Sequence, residues 1–463
     1  MTVPVSILEL LQKSDNVSYS ITNHASTNEQ IRVVPKMSNT CVVKALLLRD
    51  NQSQVVQVLV PDGAVVDLDA MFRNFDRQFE AVSTIEAWKL IESKELKTIP
   101  AVPDWSNMTT YIDDSLTKAD VLLLDAGDGS SQIQVKADSF KEMAKNGRFG
   151  AFATLAELAE TNPNSDEQNI LKSVERFTEL RIRQRLDETI ELPPLPETAQ
   201  RIIKLRADPN ADISDLTNIV EIDASLAAQV VSWAASPYYS APGKIKSVHD
   251  AIVRVLGFDM VLNLALGLAL GKTLSMKALT KEDIANYWRR SVYTAATVEG
   301  LVTSISREHR PGFGMAYLSG LLNNFGYLVM AEIFPPYFST LNRARAANPH
   351  LAAALVEHHT MGVSGDQVAS WLLTNWGMPE EVVTALRQQN NVDYDGEHSA
   401  YAKLIYVANQ MLANAGFGET LPAEIPDHVF ASLHLDKEMA LATVENILES
   451  GDDLNAIAEK MQG

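Results

Sequence analysis

Residues 192–239, LPPLPETAQRIIKLRADPNADISDLTNIVEIDASLAAQVVSWAASPYY, and residues 244–257, KIKSVHDAIVRVLG, decide how the larger part of this chain folds. Pro193, Pro194 and Pro196 set an extended run leading into a helix. Asp223 is placed to cap a helix starting near Ala224, and Gly257 permits a tight turn between helices. Beyond this stretch, segments of helical length and pattern follow one another, separated by Pro and Gly: 223–235, 247–256, 259–270, 281–304, 317–333 and 364–376. No strand signal interrupts them, so the chain from Leu192 onward reads as all-α.

Upstream the pattern changes. Residues 3–13 have a short helical period, 41–49 (CVVKALLLR) and 55–60 (VVQVLV) are β-rich, and Asp50-Asn51-Gln52-Ser53 supplies turn chemistry between them. Pro61-Asp62-Gly63 closes the second run. Residues 84–92 read as helix, and 121–125 with 133–135 as a strand pair around Gly127-Asp128-Gly129. The breaker Asn162-Pro163-Asn164-Ser165 precedes a helical recurrence at Ile170, Val174, Phe177 and Leu180. The expected organisation is α+β overall. A mixed α/β domain takes 1–150, a helical connector 151–184, an all-α domain 185–416 and a C-terminal helical extension 417–463, with the two main parts folding independently.

Composition narrows the function classes. The 463 residues are 46% hydrophobic, as in globular proteins, and carry a net charge of −20. Such a field repels phosphate backbones and disfavours non-specific nucleic-acid binding. The basic group Arg176, Arg181, Arg183 and Arg185 reads as a solvated helix face. Cys41 is the single cysteine, which excludes an internal disulfide and a cysteine-rich metal site. The N-terminus lacks a basic n-region and carries Glu9 in its apolar run, a poor signal peptide. The apolar run 260–271 holds Asn263 and falls short of the about 20 residues a span requires. A cytoplasmic location is expected, without membrane association. The neighbours His358 and His359 point about 100° apart on a helix and are poorly placed to chelate one metal.

The helical part resembles HDOD domains, a branch of the HD phosphohydrolase superfamily, from about Arg185 to about Gly416. Leu192-Pro193-Pro194-Leu195-Pro196, Asp208-Pro209, Asp223 with Leu226, Ile245 with Ser247, Ala251 and Leu256-Gly257 carry the resemblance, in order. The superfamily's enzymes hold divalent metal with His and Asp from several helices, and the metal activates a water and clamps a phosphoryl oxygen. By this resemblance the ligand positions fall on Arg290 in YWRRS, on Asn323 and Asn324 in GLLNNFG, near Gly365, on or near Gln388, Gln389 and Asn390, and near Asn409 in YVANQML. None keeps its ligand. Amides offset no cationic charge, and Arg290 would repel a cation. The frame residues Gly320-Leu321-Leu322, Gly326, Leu372-Leu373 and Trp376-Gly377-Met378-Pro379 remain. Arg290, Asn323, Asn324 and Asn409 are therefore expected to form a buried polar network in place of metal, with no cofactor.

Residues 1–145 resemble the YbaK/ProX family of aminoacyl-tRNA deacylases through CVVKALLLRD, VLVPDG, TIPAVP, TYIDDSL and DVLLLDAG. That resemblance puts Lys44 in a substrate pocket, on a strand face shared with Val42 and Leu46. It also aligns the family's glycine-rich loop with Lys97-Thr98-Ile99-Pro100-Ala101-Val102-Pro103, where both glycines are missing. Three functions stay open. The first is a non-catalytic signal-transduction or scaffold protein with protein partners. The second is a deacylase acting on tRNA, regulated by the helical domain. The third is a metal-dependent phosphohydrolase with non-standard ligands. Oligomeric state is not readable from the sequence. Elemental analysis of the purified chain is predicted to find less than stoichiometric Fe, Mn, Zn or Mg. One or more such ions per chain, bound near Arg290 and Asn323, would contradict this.

Overall fold

The structure is a computed structural model and describes residues 3–12, 18–23, 40–156, 163–182, 194–240, 243–272, 274, 277–418 and 423–462. Side chains of Arg176 and Arg181 and all of Arg183 and Arg185 lie outside the described set. The architecture is α+β, in two compact units: Met1–Leu158 with Thr340–Thr360, and Ala159–Ser339 with Met361–Gly463.

Among the described residues the first unit has ten strands: β1 Tyr19–Asn23, β2 Thr40–Asp50, β3 Val55–Pro61, β4 Ala64–Val66, β5 Phe79–Ala81, β6 Thr110–Asp113, β7 Val121–Asp125, β8 Ser131–Lys136, β9 Arg148–Gly150 and β10 Ala153–Leu155. The main sheet runs β1-β8-β7-β2-β3-β6-β9, with β5 added to β2, while β10 pairs with β4. Central β2 is antiparallel to β3 and parallel to β7. Both faces of β2 are covered, which is why its sequence is nearly continuous in apolar residues. Val43 and Ala45 join a core with Leu59, Ala101 and Val102. Leu46 and Leu48 join another with Val58, Val60, Tyr111, Phe152 and Ala347.

Thr340–Thr360 lies by sequence within the helical stretch but packs in the first unit. Leu351 and Val356 bury against Val65 of β4. Asn348, fully buried, closes the contact with its amide. Its Oδ1 accepts from Val66 N at 2.7 Å, and its Nδ2 donates to Val66 O at 3.2 Å and to Ala344 O at 2.8 Å. A side-chain amide thus continues the strand's hydrogen-bond ladder. The ring Nε2 of His350 lies 3.0 Å from Ala64 O, and burial drives the imidazole pKa down to about 4.

Helices make up the second unit, and among the described residues no strand follows β10. The helix Ala224–Ala234 begins as expected at Asp223, whose carboxylate accepts from the backbone N–H groups of Ser225 and Leu226. Gly257 adopts φ +80°, the turn conformation that its residue type permits. The connector helix Pro163–Ile182 is anchored by buried Asp166, which accepts from Arg387 Nε at 2.6 Å, Arg387 Nη2 at 3.1 Å and Gln367 Nε2 at 2.8 Å. One expectation is corrected. The stretch 317–333 is not one helix but two, Phe313–Leu322 and Phe325–Ile333, broken at Asn323-Asn324. Asn323 Nδ2 donates to Gly320 O at 2.7 Å, a local bond that competes with helix continuation.

Asn348→Ala is predicted to destabilise the first unit by about 2–4 kcal/mol, because it strands the N–H and C=O of Val66 without partners. Chemical unfolding followed by hydrogen exchange at Val66 would check it. A loss below about 0.5 kcal/mol would show that the amide bridge is dispensable.

Candidate functional site

The break at Asn323 brings four of the expected positions together. Buried Asn323 presents its backbone carbonyl to Gln389 Nε2 at 2.9 Å, and its Oδ1 receives Asn409 Nδ2 at 3.5 Å. Asn409 Oδ1 in turn accepts from Thr294 Oγ1 at 2.9 Å. Gln389 Nε2 also donates to Asp366 Oδ1 at 2.7 Å, and Asn390 Nδ2 to Asp366 Oδ2 at 2.7 Å. Segments around helices Lys281–Ser304, Phe313–Leu322, Gly365–Asn375, Glu380–Gln388 and Ser399–Asn414 are thereby joined through side-chain amides.

Arg290 is half-buried one helical turn before Thr294, on the same helix. Asn324 is half-buried at the helix break, where its carbonyl accepts from Tyr327 N at 3.0 Å and its side chain makes no capping bond. The hydrogen bonds above therefore run through Asn323, not Asn324. Gly365 is occupied by backbone packing: a Cβ built on Gly326 would lie 2.5 Å from Gly365 C and O. The helix Phe325–Ile333 packs on the backbone at Gly365, so the frame position Gly326 admits no side chain, and Gly365 itself brings no ligand.

The sequence reading missed two members. Asp366 directly follows Gly365 and supplies the acceptor that Gln389 and Asn390 need. Thr294 lies four residues after Arg290 and satisfies Asn409. Chemically the set is a cluster of amides and a hydroxyl with one carboxylate, which accepts from two of the amides. Among the described residues no three His, Cys, Asp or Glu side chains gather as a metal-ligand group.

Lys44 and the 97–103 loop are not brought together. Lys44 pairs with Val60 across β2 and β3, so both point to the face that holds Leu46, Leu48 and Ala347. Gln57 of β3 lies on the opposite face. Fully buried, its Nε2 donates to Pro100 O at 2.9 Å and Val102 O at 3.2 Å, holding the loop there. Thr98 Oγ1 donates to Asp125 Oδ1 at 2.8 Å, and Ala101 N to Asp125 O at 2.9 Å. Half-buried Lys44 instead shares its surroundings with His350 and Asp62. Burial, with Asp62 assisting, raises the nearby Cys41 thiol to about 11, which leaves it protonated and weakly nucleophilic.

Residues 192–392 match the HDOD domain family. Over their full lengths, the chain is 35% identical, with a TM-score of 0.82, to a protein from Marinobacter aquaeolei VT8 that is assigned provisionally to signal transduction. An HDOD domain protein of unknown function from Geobacter sulfurreducens is 19% identical with a TM-score of 0.49, covering 63% of this chain and 99% of its own. An uncharacterized protein of Treponema pallidum (strain Nichols) is 22% identical over 268 residues, 57% of this chain, which spans 50% of that relative's length. No described helix is long and apolar enough to cross a membrane. Residues 192–392 are thus an HDOD domain, in a chain that is similar end to end, at 35% identity, to the Marinobacter protein.

Proposed function

We propose that the chain is a non-catalytic signal-transduction or scaffold protein that uses its HDOD domain to present surfaces to protein partners. The observation that carries this is the amide network of Asn323, Gln389, Asn390 and Asn409. By the family resemblance it falls on the positions that hold metal ligands in the enzymes of the superfamily, and Asp366 and Thr294 complete its hydrogen bonds. Neutral amides supply no charge to offset a divalent cation, and the carboxylate beside them, Asp366, already accepts from Gln389 and Asn390. The provisional assignment of the Marinobacter protein to signal transduction agrees with this reading.

Supplied with Mg²⁺, Mn²⁺, Fe²⁺ or Zn²⁺, the full chain should hydrolyse phosphomonoesters and phosphodiesters no faster than the metal in buffer. Metal-dependent turnover removed by Asn409→Ala would revive the phosphohydrolase reading. Affinity capture from the native cell with the full chain should retain a defined set of proteins.

The mixed sheet of the first unit and the half-buried position of Lys44 support a likeness to YbaK/ProX deacylases in fold. Deacylation needs more. Its substrate must approach a lysine and a permissive loop on one side of the sheet. Here Lys44 and residues 97–103 lie on opposite faces, and β-branched Thr98, Ile99 and Val102 stiffen the loop. The full chain is predicted to release no amino acid from mischarged tRNA over multiple turnovers. Sustained release abolished by Lys44→Ala would establish the editing activity instead.

A further inference from the structure

Trp233, Tyr238, Tyr239, Glu299 and Tyr317 converge in the second unit, and none takes part in the amide network. Trp233 lies in the last turn of the helix Ala224–Ala234, Glu299 on Lys281–Ser304, and Tyr317 on Phe313–Leu322. The turn Pro237–Tyr239 carries the two remaining tyrosines and is fixed by Ser236 Oγ, which accepts from Tyr238 N at 3.3 Å. Trp233 Nε1 donates to Tyr239 Oη at 2.9 Å, and Tyr239 Oη donates to Glu299 Oε2 at 3.4 Å. The rings of Tyr238 and Tyr239 meet edge to face at 4.9 Å, and those of Trp233 and Tyr317 at 6.3 Å.

We infer that this cluster is a recognition site for an organic cation, a guanidinium or alkylammonium group, held by the Glu299 carboxylate and the tyrosine rings beside it. Its carboxylate and aromatic ring faces are electronegative. A carboxylate offers about four acceptor positions, yet the hydrogen bond to Glu299 is a single long one, and no Lys or Arg pairs with it among the described residues. Tyr317 is fully buried near Glu299 and Tyr239, with its hydroxyl lacking a well-formed hydrogen bond. Aromatic faces add negative quadrupole, which attracts a cation and repels an anion. Burial raises the Glu299 carboxyl to about 7, the mark of an anion desolvated without a counter-charge. A hard divalent metal is a poor occupant, since it requires several oxygen ligands and one carboxylate is present. A planar guanidinium or a soft ammonium accepts both the carboxylate and the rings. Tyr238, Tyr239 and Glu299 are half-buried rather than sealed, so each keeps an edge toward solvent from which a cation would enter.

The test is isothermal titration calorimetry of the full chain at pH 8 with N-acetylarginine amide and its neutral isostere N-acetylcitrulline amide. The arginine probe should bind saturably and the citrulline probe should not, and Glu299→Gln should weaken the arginine probe by about tenfold or more. Tyr238→Leu, on the surface turn, should weaken it several-fold while leaving the carboxylate in place, and it serves if Glu299→Gln does not fold. Tighter binding of a short peptide with one internal arginine would assign the site to a partner protein, and equal affinity to a free small amine. No saturable binding of the arginine probe, equal binding of citrulline, or unchanged affinity in Glu299→Gln overturns the inference and leaves Glu299 as a structural partner of Tyr239.

Discussion

Asn323 is the residue on which the arrangement of the helical unit depends. Its side-chain N–H ends one helix at Gly320 O, its carbonyl receives Gln389, and its Oδ1 receives Asn409, which is held by Thr294. Each of these bonds contributes modestly in net terms, about 0.5–1.5 kcal/mol, because folding exchanges it for a bond to water. The larger effect is the cost of losing one partner, which leaves several buried polar groups unmatched. Such a system favours one helix arrangement over close alternatives. It does so with neutral amides, so the helices converge without a cluster of like charges that a cation must offset.

The first unit solves a different problem. Its central strand β2 buries both faces, and the short strand β4 would offer unpaired backbone groups beside β10. Asn348 caps that edge by imitating a neighbouring strand. Arg345 and Glu357, both nearly buried and 3.6 Å apart, belong to the same segment. A helical segment recruited to a sheet in this way turns a vulnerable edge into core.

Much of this was legible in the sequence because the signals were local. The helix Lys281–Ser304 was expected with the same bounds, and 121–125 with the same bounds as β7. Short strands such as β5, β9 and β10 carry three residues each and leave no period to read. The helix break at Asn323-Asn324 was hidden by the apolar residues around it, which satisfy a helical pattern straight through. Residues 340–360 show a helical pattern whichever core they pack against, so their place in the first unit is a tertiary fact. In the site, aligned positions identified Asn323, Gln389, Asn390 and Asn409. Asp366 and Thr294 were invisible to that method because they complete the hydrogen bonds of the substituted residues without standing at a ligand position themselves. The split between Lys44 and its loop was decided by strand register, since Lys44 opposite Val60 fixes the face, and register is set by pairing across the sheet.

The central claim is that the HDOD frame is held by coupled amides where a metal would otherwise sit. A double-mutant cycle on Gln389→Ala and Asn409→Ala tests it most directly, read from urea unfolding of the helical unit with and without millimolar divalent metal. Coupling of about 0.5–3 kcal/mol between the two sites, with a midpoint indifferent to metal, is the predicted result. Additive losses, together with a wild-type midpoint that rises saturably with metal, would contradict the account.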